Sequence, residues 1–241
     1  MYVIEALLIF FNFWFPQLEK ELYKVDYHYT QSLEIDENTR RSYPPEILQQ
    51  IKDASNVTYA FSLYTNSSES VFKLLPKLIN SQNVLAIEIE PDLKWAYKNL
   101  KENYTVNLIQ FDKNYFVRDS LQKLIWRKTN EQKELLGYQT QKYFYEDENQ
   151  FIEIWCAIEI HIPNGPLNYS GNENLILEAK ISTKKGAKHF HHYTATEIND
   201  EIEFDFKKEK PKKVMSRERF DTLFSDYKKK IEAMNSEIDT E

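Results

Sequence analysis

The chain reads as a mainly β protein: a single antiparallel curved sheet, or open half-barrel, followed by a C-terminal amphipathic helix. Three observations predict this. Apolar and polar residues alternate with period two in most segments between Tyr23 and Phe206. Turn-forming residues punctuate those segments and no long helical pattern separates them, which disfavours a parallel α/β sheet. Tyr (16) and Phe (15) are abundant, which suits a pleated, half-buried surface.

Taken in order, residues 1–16 are a signal-peptide-like apolar segment. At about 14 residues it is too short to span a bilayer, where ~20 are needed. Glu5 interrupts it, and the other reading is a first strand or buried helix. The antiparallel β domain covers 17–206. Its first strand is Tyr23 to Thr30, with Tyr23, Val25, Tyr27 and Tyr29 on one face. A short helix is expected near Glu46 to Lys52, then a strand from Val57 to Leu63 and a turn at Asn66-Ser67-Ser68. Pro76 marks Ser70 to Asn80 as a loop or frayed edge. Val84 to Glu90 is the next expected strand, and Asp92 suits the cap of a short helix, or a turn, through Asn99.

Further strands are expected at Tyr104 to Phe111, Tyr115 to Arg118, Leu121 to Lys128 and Tyr138 to Tyr145. The clearest alternation is Phe151 to Ile162. There Ile152, Ile154, Cys156, Ile158, Ile160 and Ile162 share one face, while Glu153, Trp155, Glu159 and His161 share the other. It stops at Pro163-Asn164-Gly165-Pro166. Leu175 to Thr183, Lys188 to Ile198 and Glu201 to Phe206 complete the expected strands. A basic linker spans 207–215. Residues 216–241 hold a helix and polar tail: Ser216 suits the N-cap, and Phe220, Leu223, Phe224, Tyr227 and Ile231 recur at helical spacing.

Composition narrows the function classes. A net charge of −7 gives no electrostatic case for nucleic acid. Only four glycines are present, against a usual ~7%, which argues against phosphate-cradling loops. Cys156, the single cysteine, excludes an internal disulfide and a thiolate zinc site, and its apolar register suits a buried small hydrophobe. There is no nucleophile elbow, zinc-protease motif or dinucleotide fingerprint. Glu153 and Glu159 on one strand would stand about 20 Å apart, beyond the roughly 5–10 Å used by paired carboxylates in glycoside hydrolysis. No catalytic residue and no cofactor is expected.

Two features remain as site candidates. His189 and His191 would project from one strand face about 7 Å apart, a spacing two metal ligands can share if Glu197 or His161 supplied a third; solvated histidines are the plainer reading. Trp155 interrupts a face of Glu153, Glu159 and His161. It either floors a ligand cleft or packs under the following loop.

The order and spacing of several residues resemble a known family. Trp126, Lys133, Leu136-Gly137-Tyr138 and Lys142 match one block. Trp155, Glu159-Ile160, Gly165-Pro166, Tyr169, Gly171 and Leu175-Ile176-Leu177-Glu178 match a second, and Glu69-Ser70-Val71-Phe72 an upstream signature. The family is GLPGLI, named for the stretch that here reads Gly171-Asn172-Glu173-Asn174-Leu175-Ile176. The resemblance covers about Tyr23 to Glu178. It departs at Asn172-Glu173-Asn174, at His161 and at Cys156. It implies a signal-bearing, periplasmic or secreted protein of the cell envelope with no established activity and, by looser analogy, a curved sheet like that of lipoprotein-carrier half-barrels. The expected function is non-enzymatic: binding of an apolar molecule or lipid on a concave sheet face lined by Trp126, Tyr138, Trp155, Gly165, Pro166 and Tyr169. The alternative is a protein-interaction module that docks an envelope partner through an edge strand or the terminal helix. A metal-dependent hydrolase built on His189 and His191 is the third reading.

Overall fold

A computed structural model describes residues 22–34, 37–55, 57–76, 91, 93–170, 172–184 and 188–238. Within them lie β1 (Tyr23–Glu34), α1 (Glu37–Ser42), α2 (Pro45–Ser55), β2 (Tyr59–Thr65), β3 (Glu69–Leu74), β4 (Trp95–Asn99), β5 (Tyr104–Gln110), β6 (Asn114–Ser120) and β7 (Arg127–Leu135). There follow β8 (Tyr138–Glu146), β9 (Gln150–Ala157), β10 (Ile176–Thr183), β11 (Lys188–Asn199), α3 (Phe206–Glu209), β12 (Met215–Ser216) and α4 (Arg217–Ile238). The apolar segment 1–16, the strand expected at Val84 to Glu90 and the cap expected at Asp92 lie outside the described residues.

The strands form one open sheet in the order β12-β6-β5-β4-β3-β2-β1-β11-β10-β9-β8-β7. All pairs are antiparallel except the short β12–β6 pair. β1 joins two meanders: β2 to β6 run outward on one side, and β11 back to β7 on the other. The connection 121–126 carries the chain from one half to the other edge.

One face, called inner here, carries the main core. Val25, Tyr27 and Tyr29 on β1, Phe61 and Leu63 on β2, Phe72 on β3, Ile152 and Ile154 on β9, Ala179 on β10 and Tyr193 on β11 are all buried. Their alternation is the reason these segments pair in register, since a one-residue slip would turn every one of them to water. The rings stack in a pile, Phe61 on Phe72 at 4.7 Å and Tyr29 on Tyr193 at 4.6 Å between centroids. The segment after β9 covers this face: Ile160, Ile162 and Leu175 are buried in the same cluster. α4 covers the inner face of the β5–β6 edge through Phe220 on Tyr115 and Phe224 on Phe111. The outer face of β2 to β6 has its own smaller core, capped by Phe204 and Phe206.

Several expectations need correction. Ser70 to Leu74 belongs to an internal strand, β3, because Pro76 falls beyond its last ladder bond. Trp95–Asn99 is β4 rather than a helix or turn. Leu121 to Trp126 is irregular, and β7 begins at Arg127. β9 ends at Ala157, so Glu159 and His161 do not share the face of Glu153 and Trp155. Ile158 is 39% exposed, while Ile160 and Ile162 are buried from an irregular segment. Glu201 to Asp205 pairs with no strand, yet Phe204 lies on Tyr64 at 3.9 Å. The basic linker is docked: α3 overlaps its first residues, Lys210 binds Glu69 at 2.7 Å, and its last residue Met215 pairs with β6 through β12. The helix start is as expected, with the Ser216 hydroxyl accepting from the Arg219 amide.

Candidate functional site

On the β8 to β11 half, the outer face is solvent-facing and carries the charged side chains. The ladder register arranges them in rows across the strands. His28, Thr194, Glu178, Trp155 and Lys142 form one row. Thr30, His192, Lys180, Glu153 and Phe144 form the next, and Ser32, Phe190, Ser182 and Phe151 a third. Strands stand about 4.8 Å apart, so four of them span roughly 15 Å.

Glu178 is the centre of this face. Its side chain is 5% exposed and receives three partners: the Lys133 amine, the Lys180 amine at 3.2 Å and His192 Nε2 at 3.0 Å. Burial by itself would raise its pKa. Hydrogen bonds from His192, Lys133 and Lys180, with the Lys133 charge, outweigh burial and lower it to about 2. A bulge in β10 at Ile176–Glu178 makes this possible, because it lets Leu177 stay buried while Glu178 pairs opposite Trp155. Lys133 also lies over the Trp155 ring at 4.2 Å and Lys142 at 5.8 Å, and Lys142 binds Glu153 at 2.6 Å. Beside this cluster lies a groove of about 570 Å³ whose lining includes Ser32, Glu153, Lys180, Phe190, His191 and His192.

The six expected ligand residues divide between two faces. Trp155 lies on the outer face, among lysines and beside the groove, and does not lie under the following loop. Gly165, Pro166 and Tyr169 belong to the 163–170 segment over the inner face, with Gly165 and Pro166 buried. Trp126 donates from its indole to the Ser170 carbonyl at 2.9 Å and meets Tyr145 edge-on. Tyr138 opens β8 and is packed against the main core. His189 and His191 stack with ring centroids 6.3 Å apart, and the Nδ1 of His191 hydrogen-bonds the Tyr29 hydroxyl at 2.8 Å. His161 pairs with Asn174 instead. Among the described residues no group of three or more His, Cys, Asp or Glu is placed to hold a metal ion, and no helix is long and apolar enough to cross a membrane. Cys156 is buried, and burial pushes its thiol pKa up.

A second polar cluster has no counterpart in the sequence reading. Thr65, Ser70, Lys98 and Thr105 face one another across β2 to β5 on the inner face, and all are buried. Lys98 Nζ donates to the Gly165 carbonyl at 2.8 Å and the Tyr169 carbonyl at 3.3 Å. Asn164 donates to Thr65 at 2.7 Å, and Thr105 to Asn168 at 3.0 Å. The row satisfies the polar groups of the segment above it. Nothing in the sequence around Lys98 marks it as a buried group.

No protein-family model matches this chain, and no curated protein does. Solved structures do. Two crystal forms of PNGF-II match at TM-scores of 0.50 and 0.49, with 16% and 14% identity over 82% of this chain. The chain spans about a third of their length, 31% in each case. A LolA superfamily protein from Nitrosomonas europaea matches at a TM-score of 0.31 and 8% identity, over 78% of this chain and 89% of that one. At 16% identity the likeness to the first of these concerns the fold alone.

Proposed function

We propose that this chain is a non-enzymatic binding protein of the cell envelope, a divergent relative of the GLPGLI proteins, that holds a small amphipathic molecule in the outer-face groove. The carrying observation is the groove itself. Its volume of about 570 Å³ lies within the ~300–1,000 Å³ of small-molecule sites. Phe190, 37% exposed, offers an apolar wall. Lys180 and His192 offer a polar end, held in place by Glu178. Residues of the two resemblance blocks that are far apart in sequence (Lys133, Lys142, Trp155 and Glu178) meet beside it, which supports the family reading. The apolar segment 1–16 supports an envelope location.

Native mass spectrometry of the protein purified from its own envelope tests this. A small-molecule adduct lost in Phe190→Ser and reduced in Lys180→Ala is the expected result. A protein-sized adduct, or a small one indifferent to both changes, overturns it. The second reading, a docking module, draws on α4, where Tyr227 and Ile231 are each 38% exposed. The sheet edge is a poorer dock: β7 is rich in charge and its register shifts between Lys128 and Gln132.

A further inference from the structure

The inner face changes character half-way across the sheet. Under Ile160, Ile162 and Leu175 it is apolar and aromatic. Under the 163–170 segment it becomes the polar row of Thr65, Ser70, Lys98 and Thr105. Lys98 is fully buried there, and its two partners are both backbone carbonyls of that segment.

Among the described residues no charged group faces it from a neighbouring element. β3 presents Ser70, β5 presents Thr105 and Asn107, and the segment presents Asn164, Asn168 and the tyrosine Tyr169. Asp119, one strand further along the row, is bound to Arg217 at 2.8 Å. Glu69, the chain neighbour of Ser70, is bound by Tyr97 and Lys210. A free amine suits this site. It has two N–H donors for two carbonyls, and a lone pair left over. Ser70, its cross-strand partner, carries a buried hydroxyl with no hydrogen-bond partner among the described residues, so it does not accept a third N–H from Lys98. An ammonium would bring a third donor and an uncompensated charge.

We propose that Lys98 is a proton-operated latch: as a free amine it closes the 163–170 segment over the inner face, and taking up a proton loosens that segment from the sheet. This inference is independent of the outer-face groove. Burial lowers the Lys98 pKa from 10.5 to about 7 in the closed form. The open form, wetted, returns toward 10.5. Closing therefore releases a proton between these values, and closure strengthens as pH rises through them. The opening constant should grow about tenfold per unit as pH falls from 10 to 7, then level off below 7.

Amide hydrogen exchange of the whole protein reads this directly. Intrinsic exchange slows by about the same factor per unit over that range, so the two trends cancel for amides that the latch protects. From pH 9 to 7 the amides of Asn164, Gly165, Tyr169 and Ile176 should exchange at a nearly constant rate. Those of Tyr27 and Phe61 in the central sheet should slow about a hundredfold. In Lys98→Met the segment amides should slow with the rest. Segment amides that slow in parallel with the sheet in the natural protein overturn the latch. Sheet amides that share the constant rate also overturn it, because Lys98 would then act on the whole fold. Both outcomes are read on the natural protein, whether or not the methionine variant folds.

Discussion

The Lys133 ammonium lies 4.2 Å from the centre of the Trp155 ring and at the same time binds the Glu178 carboxylate. One cation thus ties the edge strand β7 to β9 and β10, across β8. The arrangement explains a tryptophan on a polar face. The ring serves as a platform for two lysines, and those lysines compensate three acids, Glu178, Glu153 and Glu131.

Glu178 makes the cluster pH-sensitive. Its pKa is lowered in the fold from 4.5 to about 2. A lowered carboxylate contributes stability that is complete above 4.5 and lost as pH falls toward 2. About 2–3 kcal/mol is expected to disappear across that window. Denaturant unfolding at pH 6, 4 and 2.5 should show the loss in the natural protein. Glu178→Gln should be less stable at pH 6 and should lose less than the natural protein between pH 6 and 2.5. A natural protein whose stability does not fall between pH 4 and 2.5 contradicts the assignment.

Gly165 and Gly137 should respond to alanine for different reasons. A Cβ on Gly165 would stand 2.7 Å from the Cβ and Cδ1 of Ile176, which is itself fully buried. Overpacking of that kind costs about 1–3 kcal/mol. Adding Ile176→Ala should recover only part, because the Ile176 Cβ remains in the way. Chemical denaturation of the single and double variants measures both.

Gly137 has open space around it but φ of +82°, following Leu136 at +53°, in the β7–β8 turn. Alanine there should cost about 1 kcal/mol and asparagine less, since asparagine tolerates the left-handed region. Equal losses for the two substitutions, measured by thermal unfolding, would count against a backbone origin.

Strands were legible where one face meets an apolar core, and illegible where it does not. β1, β9 and β10 announce themselves because Val25, Tyr27, Ile152, Ile154 and Ile181 all turn toward the same cluster. β4 does not, because of its two inward residues Ala96 is small and Lys98 meets backbone carbonyls rather than side chains. β3 was obscured by Pro76, which lies two residues past its end. Glu201 to Phe206 alternates for a reason other than pairing: Phe204 and Phe206 lie on the outer core from an unpaired chain. Trp155 was legible as an anomaly, but its lysine partners on β7 and β8 depend on register, which a single sequence does not display. The Lys98 row was invisible for the same reason, since its members lie on four strands.

The terminal helix divides at about Phe224 into an anchored and an exposed part. Phe220 is buried against Tyr115, with ring centroids 5.6 Å apart, and Phe224 meets Phe111 at 4.9 Å. Beyond them Tyr227 touches Phe111 at 4.3 Å, yet it and Ile231 keep over a third of their surface in water. Phe220→Ala should therefore destabilise the protein by about 3 kcal/mol, the cost of emptying a buried aromatic site. Ile231→Ala should cost under ~1 kcal/mol, because little area is removed from water. Chemical denaturation of both variants ranks them. If Ile231→Ala matched Phe220→Ala in the isolated protein, the exposed half of the stripe would have to be covered in solution. Concentration dependence of the unfolding midpoint would then show whether a second copy covers it.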